Sequence, residues 1–158
     1  EIPANNSVIY RENNFEIRTF RANLDNDNEN SIITLLKYGN FEMLFTGDAG
    51  IRAFEEIKSG LPENIEVLKV GHHGAKNIVN EEMLTRLKPE VSVISTGLNY
   101  FGHPAKGTLD ILRNTTIYRT DRNNSIKITS DGNEYKVLTY NRTNHKYEIN
   151  KVFHSLTP

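Results

Sequence analysis

Asp48, the adjacent pair His72 and His73, and His103 are the residues of this 158-residue chain whose types and settings could do chemistry. Each follows an apolar, β-rich run. Phe41 to Thr46 leads into Gly47-Asp48, Ile65 to Val70 into Gly71-His72-His73-Gly74, and Val91 to Ser95 into a loop ending at Gly102-His103-Pro104. Cysteine is absent, so disulfides and thiolate sites are excluded, and His, Asp and Glu are the only strong metal-ligand types available. A carboxylate and several imidazoles held at strand ends could bind a divalent cation or move protons.

Each position also has a plain alternative. Asp48 precedes a helical pattern, where its carboxylate could simply cap an N-terminus. The two histidines could be a surface pair, but glycine on both sides lets backbone come close to a ligand. Adjacent side chains diverge, so one imidazole is expected to ligate while the other orients it or meets substrate. His103 precedes Pro104, which biases it to extended backbone and keeps its ring out of a helix, although an ordinary loop histidine fits equally well. His145 and His154 lie in a polar tail and are expected to face solvent.

The elements that must position these residues alternate. Ser7 to Arg11 and Asn14 to Phe20 read as a hairpin, residues 24–30 as an Asn/Asp-rich loop, and 31–37 with 41–46 as a second hairpin across Gly39-Asn40. Asp48 to Ser59 carries Ile51, Phe54 and Ile57 at helical spacing and is stopped by Gly60 and Pro62. Ile65 to Val70 is a buried strand, Glu81 to Leu87 a helix closed by Pro89, and Val91 to Ser95 another buried strand. This β-α-β-α-β middle implies an α/β layer. A helical turn at 108–112, a strand at 116–120, a hairpin from 125–129 and 134–140 across Asp131-Gly132, and an edge strand at 145–153 complete the reading.

Composition bounds the function classes. Hydrophobic residues at 37% and charged residues at 25% describe one globular domain spanning 1–158. A net charge of −1 gives no global basic field, so a grip on nucleic acid must come from a local patch or a metal. No apolar run approaches the roughly 20 residues of a membrane helix, so no membrane contact is expected from this segment. The start at Glu1, without Met or a signal pattern, reads as a processed product or a piece of something longer. Lack of cysteine leaves either side of a bacterial membrane open.

Three segments in order, Leu-Phe-Thr-Gly-Asp (44–48), Leu-Lys-Val-Gly-His-His-Gly (68–74) and Tyr-Phe-Gly-His-Pro (100–104), together resemble the second half of the metallo-β-lactamase domain of ComEC-type DNA-uptake proteins. The likeness includes Asn28-Glu29-Asn30-Ser31 and Tyr118-Arg119-Thr120-Asp121 and covers residues 24–130. The resemblance implies that Asp48 bridges two metal ions, zinc or manganese, that His72 or His73 supplies a further ligand, and that His73 and His103 serve catalysis. His103 would stabilise charge on a phosphate or protonate the leaving group. Two departures stand out. Ala75 replaces the serine that usually follows His-His-Gly, and the first-half motif His-x-His/Asp-x-Asp-His is absent from all 158 residues, so this chain alone cannot complete a dinuclear site.

The expected fold is therefore α/β: half of an αββα metallo-β-lactamase sandwich, with a mixed sheet, helices on one face, and an apolar other face for a partner sheet. The expected function is the C-terminal part of a metal-dependent hydrolase acting on a phosphodiester such as DNA, partnered by the missing N-terminal half of the domain. The competing expectation is a catalytically incomplete module with an interaction or structural role, and the plainest is an α/β domain with no metal role.

Overall fold

A computed structural model describes residues 6–155. Seven strands form one sheet: β1 (Ser7–Glu12), β2 (Phe15–Phe20), β3 (Ile33–Tyr38), β4 (Phe41–Phe45), β5 (Val67–Lys69), β6 (Val91–Ile94) and β7 (Thr116–Arg119), lying side by side in chain order. β1 to β4 are antiparallel neighbours, whereas β4 to β7 are parallel. Short turns join β1 to β2 and β3 to β4, a loop over 21–32 joins β2 to β3, and the β3–β4 turn sets Gly39 at φ +58°, as Gly39-Asn40 implied. The parallel half needs crossovers, supplied by α1 (Ile51–Ile57), α2 (Glu81–Leu87) and α3 (Lys106–Ile111).

The three crossovers step in the same direction across the sheet. Right-handed crossovers that all advance one way must lay their helices on one face, and the packing agrees. Ala53, Phe54 and Ile57 of α1 and Met83 and Leu87 of α2 are buried with Phe20, Leu35, Leu44, Leu68 and Ile94, one face of the strands. The alternate residues Phe41, Met43, Val67, Val91, Val93 and Tyr118 form a second core on the opposite face.

That face is apolar, as expected, and this chain covers part of it itself. After β7 a single helical turn, α4 (Thr120–Asn123), and Asn124 at φ +58° redirect the chain. β8 (Ile126–Ser130), β9 (Glu134–Asn141) and β10 (Lys146–His154) then form a separate antiparallel sheet. Tyr135, Val137 and Phe153 from it pack into the second core, and the Tyr135 hydroxyl donates to Glu90 at 2.8 Å. Towards the edge strand the same face is less covered: Tyr10 lies on it, in register with Ile17, Leu36 and Met43, and stays exposed.

The anticipated elements recur with one instructive shift. The helix expected from Asp48 begins at Ile51, because Ala49 N–H donates back to Thr46 O at 3.0 Å and holds residues 46–49 in a turn. α2 matches its expected span: the Asn80 side chain accepts from Met83 N–H at 2.8 Å, Glu81 and Glu82 occupy the first turn, and Lys88 closes it in left-handed backbone before Pro89.

Candidate functional site at the carboxyl edge of the parallel strands

Because β4, β5 and β6 are parallel, the segments following them emerge at the same edge, the usual ligand-binding edge of an α/β sheet. Asp48 follows β4, His72 and His73 follow β5, and His103 ends the loop after β6. The loops interlock. His72 N–H donates to Gly47 O at 3.1 Å, joining the first two, and Ala105 N–H donates to Gly74 O at 2.8 Å, joining the second and third. Glycine is required at both crossings. A Cβ on Gly71 would lie 2.7 Å from Thr46 Oγ1 and 2.8 Å from Gly47 O, and one on Gly74 would lie 2.7 Å from Pro104 Cβ. The glycine bracket around the histidines therefore serves loop-to-loop contact in this chain.

Within that bracket His72 (φ +43°), His73 (φ +55°) and Gly74 (φ +77°) are all left-handed. Glycine enters this region freely, whereas each of the two histidines costs about 1–2 kcal/mol there, although histidine visits it more readily than most residues. The hydrogen bonds of the interlock hold the turn against this strain, together with Gly74 N–H to Gly71 O (2.8 Å) and Ala75 N–H to His72 O (2.9 Å). The two rings diverge, with centroids 6.4 Å apart, as adjacent side chains should. Half-buried His72 faces His103, ring centroids 5.9 Å apart. His73 is exposed and its Nδ1 lies 2.8 Å from Ser95 O. A carbonyl only accepts, so Nδ1 carries a proton, and in the neutral ring Nε2 is the nitrogen left to accept.

Asp48 does not cap α1. The helix N-cap is Gly50 with no side-chain bond of its own, and the Glu29 carboxylate accepts from Gly50 N–H (3.0 Å) and Ala53 N–H (3.1 Å) instead. Ser31 Oγ accepts from Asp48 N–H at 3.1 Å and steadies the turn, while the Asp48 carboxylate makes no hydrogen bond or ion pair among the described residues. Its electrostatic neighbour is Lys69, whose ammonium burial pushes below its ordinary value while Asp48 pulls the other way.

His103 sits on an ordered loop. Asn99 Nδ2 donates to His103 O (2.8 Å) and Gly97 O (2.9 Å), and its Oδ1 accepts from His103 N–H (3.0 Å) and Phe101 N–H (3.1 Å). The loop's base is clamped by Thr120, whose hydroxyl donates to Thr96 O at 2.6 Å and accepts from Thr96 N–H at 2.7 Å. The His103–Pro104 bond is cis. His103 Nδ1 is buried and has no hydrogen-bond partner among the described residues.

The structure thus brings all four sequence-selected residues to one edge and leaves His145 and His154 exposed, far along the chain on or beside β10. Sequence reasoning missed Lys69, Glu29, Ser31, Asn99 and Thr120 as the groups that set the site. Lys69 could have been found as the charge within an apolar strand, and the others lie inside the segments Asn28 to Ser31, Tyr100 to Pro104 and Tyr118 to Asp121, or beside them. As for a metal, the nitrogen and oxygen donors suit zinc or manganese, and the unpartnered His103 Nδ1 and the oriented His73 ring fit part of a ligand set. No group of three or more His, Asp or Glu among the described residues is gathered closely enough to hold an ion, so the donors present fall short of a closed site.

The chain is 34% identical over 104 residues to ComE operon protein 3 of Bacillus subtilis, and 39% identical over 71 residues to Recombination protein 2 of Haemophilus influenzae. It is similar to proteins of bacterial competence. A third relative, Competence protein ComA of Neisseria gonorrhoeae, is 29% identical over 112 residues. The matches take in 63%, 45% and 68% of this chain but only 13%, 9% and 16% of those proteins, so the chain corresponds to a small part of each. No protein-family profile matches the chain, and no solved structure matches it. Among the described residues no helix is long and apolar enough to cross a membrane.

Proposed function

We propose that this chain is the C-terminal part of a metal-dependent phosphodiester hydrolase of the metallo-β-lactamase type that works in DNA uptake. The observation that carries the reading is the meeting of the Asp48, His72 and His103 loops at one sheet edge, with a buried His103 Nδ1 that has no partner among the described residues. Similarity to competence proteins supplies the biological setting. Asp48 with His72 or His73 would contribute ligands, and the remainder would come from a first-half motif elsewhere in a longer protein. Ions so held would supply positive charge to clamp the attacking and leaving oxygens of a phosphodiester.

The chain's own side chains have distinct tasks in this reading. Asp48 presents a carboxylate free of hydrogen bonds among the described residues, and Ser31 and Glu29 fix the turn that aims it. The Ser95 carbonyl holds His73 in the tautomer whose Nε2 accepts. His103, steadied by Asn99, would bond a non-bridging phosphate oxygen or protonate the leaving oxygen, a contribution of about 10²–10⁴-fold.

The test is a nuclease assay with manganese or zinc on this chain and on a longer protein that also carries His-x-His/Asp-x-Asp-His. The expected result is chelator-sensitive cleavage by the longer protein only, abolished by Asp48→Ala and slowed by His103→Ala with metal content retained. Cleavage indifferent to chelator or to Asp48→Ala would overturn the hydrolase reading. The absence of a three-donor cluster among the described residues favours one alternative, a catalytically incomplete module, which predicts no cleavage by either protein.

A further inference from the structure

The loop between β6 and α3 has a feature that neither packing nor the site geometry uses. Leu98 and Tyr100 are fully exposed and Phe101 is 84% exposed, the most exposed large apolar side chains among the described residues. Three such side chains side by side give nothing to the core and leave apolar surface in water. Nor are they a loose tip. The four Asn99 hydrogen bonds described above fix the backbone around them, with Phe101 N–H itself one of the donors. The Phe101 ring lies nearly parallel to the His103 imidazole, centroids 5.9 Å apart at 19°. The aromatic tip therefore extends the site by stacking on one of its residues.

Beside the tip is an open cleft of about 510 Å³, lined by Leu98, Asn99, His103, Asp121 and Arg142 among others. Its charges are unequal. The Asp121 carboxylate is already taken by Arg119, at 2.6 and 3.0 Å, whereas Arg142 has no ion pair or hydrogen bond among the described residues. A cleft of nucleotide size with a guanidinium unpaired among the described residues, next to two exposed aromatic rings on a loop whose backbone is fixed, combines the two elements that bind single strands: a cation for phosphate and π-faces for unstacked bases.

We propose that this face holds a single-stranded nucleic acid, with Tyr100 and Phe101 stacking one or two bases and Arg142 pairing the adjoining phosphate, so that the strand's backbone passes His103. The proposal deepens the phosphodiester reading, on which it rests, by naming the substrate class. In an intact duplex the base faces are stacked on each other and unavailable to the tip. A lipid surface would also accept exposed aromatic side chains, but it gives no use to the cleft, to Arg142, or to a phenyl ring stacked on a site histidine.

The experiment is fluorescence anisotropy on this chain in chelator, with 5′-labelled ten-residue deoxy- and ribo-oligonucleotides, the same backbone carrying abasic sites, and a blunt duplex. The expected result is preference for the single strands, deoxy or ribo, over both other probes. Tyr100→Ala with Phe101→Ala should weaken single-strand binding by about 5- to 150-fold per base lost, while Tyr100→Phe and Phe101→Tyr retain it. The abasic probe should not distinguish wild type from the alanine pair, and Arg142→Gln should weaken binding to both probes. Equal binding of the alanine pair and wild type to the single strand would overturn the proposal. So would no single-strand binding by wild type, equal or tighter binding of the duplex, or a loss seen only in flotation with anionic lipid vesicles. Because chelator prevents hydrolysis, failure of the hydrolase reading appears in the cleavage assay and failure of this one in anisotropy.

Discussion

Replacing Gly71 with alanine tests whether the interlocked loops are as tight as described. Gly71 has φ −72° and ψ 166°, extended backbone that alanine adopts freely, so no conformational penalty enters. The added methyl would meet three oxygens, Thr46 Oγ1 at 2.7 Å, Gly47 O at 2.8 Å and Ala49 O at 3.0 Å, two of them backbone atoms of the Asp48 turn. Overpacking of this kind costs about 1–3 kcal/mol. Forcing the loops apart also threatens the His72 N–H to Gly47 O bond, which contributes about 0.5–1.5 kcal/mol. Together they predict a loss of about 1.5–4.5 kcal/mol, a fall in Tm of about 3–18 °C for a domain of this size. Gly107 is the internal control. It lies within α3, and a Cβ there meets nothing within 4 Å. Gly107→Ala should therefore stabilise by about 0.4–1 kcal/mol through the unfolded chain's entropy, raising Tm by about 1–4 °C. Thermal melts followed by circular dichroism decide it. A Gly71→Ala protein melting at or above wild type would refute the close approach of the Asp48 and histidine loops.

Three further outcomes are expected. Glu29→Ala removes the carboxylate that accepts from Gly50 and Ala53 N–H, and should lower stability to urea by about 1–2 kcal/mol, whereas Asp48→Ala, which caps nothing, should leave the midpoint nearly unchanged. Tyr135→Phe takes the hydroxyl donor from Glu90 in the second core and should destabilise by about 1.5–3 kcal/mol; burial and Glu90 raise the Tyr135 pKa far above its ordinary value, so no loss from its ionisation should appear as pH rises to 10. Asp121 is held below its ordinary 3.8 mainly by the hydrogen bonds from Arg119. A depressed carboxylate pKa stabilises the fold above the unfolded value and loses that contribution as pH falls through the folded one. Asp121→Asn should accordingly melt with a weaker pH dependence below about pH 4, and an unchanged acid limb would contradict the assignment.

Much of the architecture was legible in the chain because its signals are local. Period-two runs ending in Gly39-Asn40 or Asp131-Gly132 define hairpins, and apolar residues at 51, 54 and 57 define a helix, without reference to anything distant. That the candidate residues share an edge was legible for a related reason: Asp48, His72, His73 and His103 each stand where an apolar strand pattern stops, and parallel strands send such stops to one edge. What the sequence could not decide depends on contacts between residues far apart. Asp48 before a helical pattern is locally indistinguishable from an N-cap, and only the fold shows Glu29, 21 and 24 residues before the Gly50 and Ala53 N–H groups it accepts from, taking that role. The glycines at 71 and 74 read as room for a ligand, whereas their neighbours in space are Thr46 and Pro104, each some 25 to 30 residues away. The division into two sheets was equally invisible, since β8 and β9 carry the same alternation as the earlier hairpins. It follows from the turn at Thr120–Asn123 and from Tyr135, Val137 and Phe153 finding the apolar face that one-directional right-handed crossovers leave free. Local pattern determined which elements form; the handedness of the crossovers and the packing of distant side chains decided what they bury and which donors remain free.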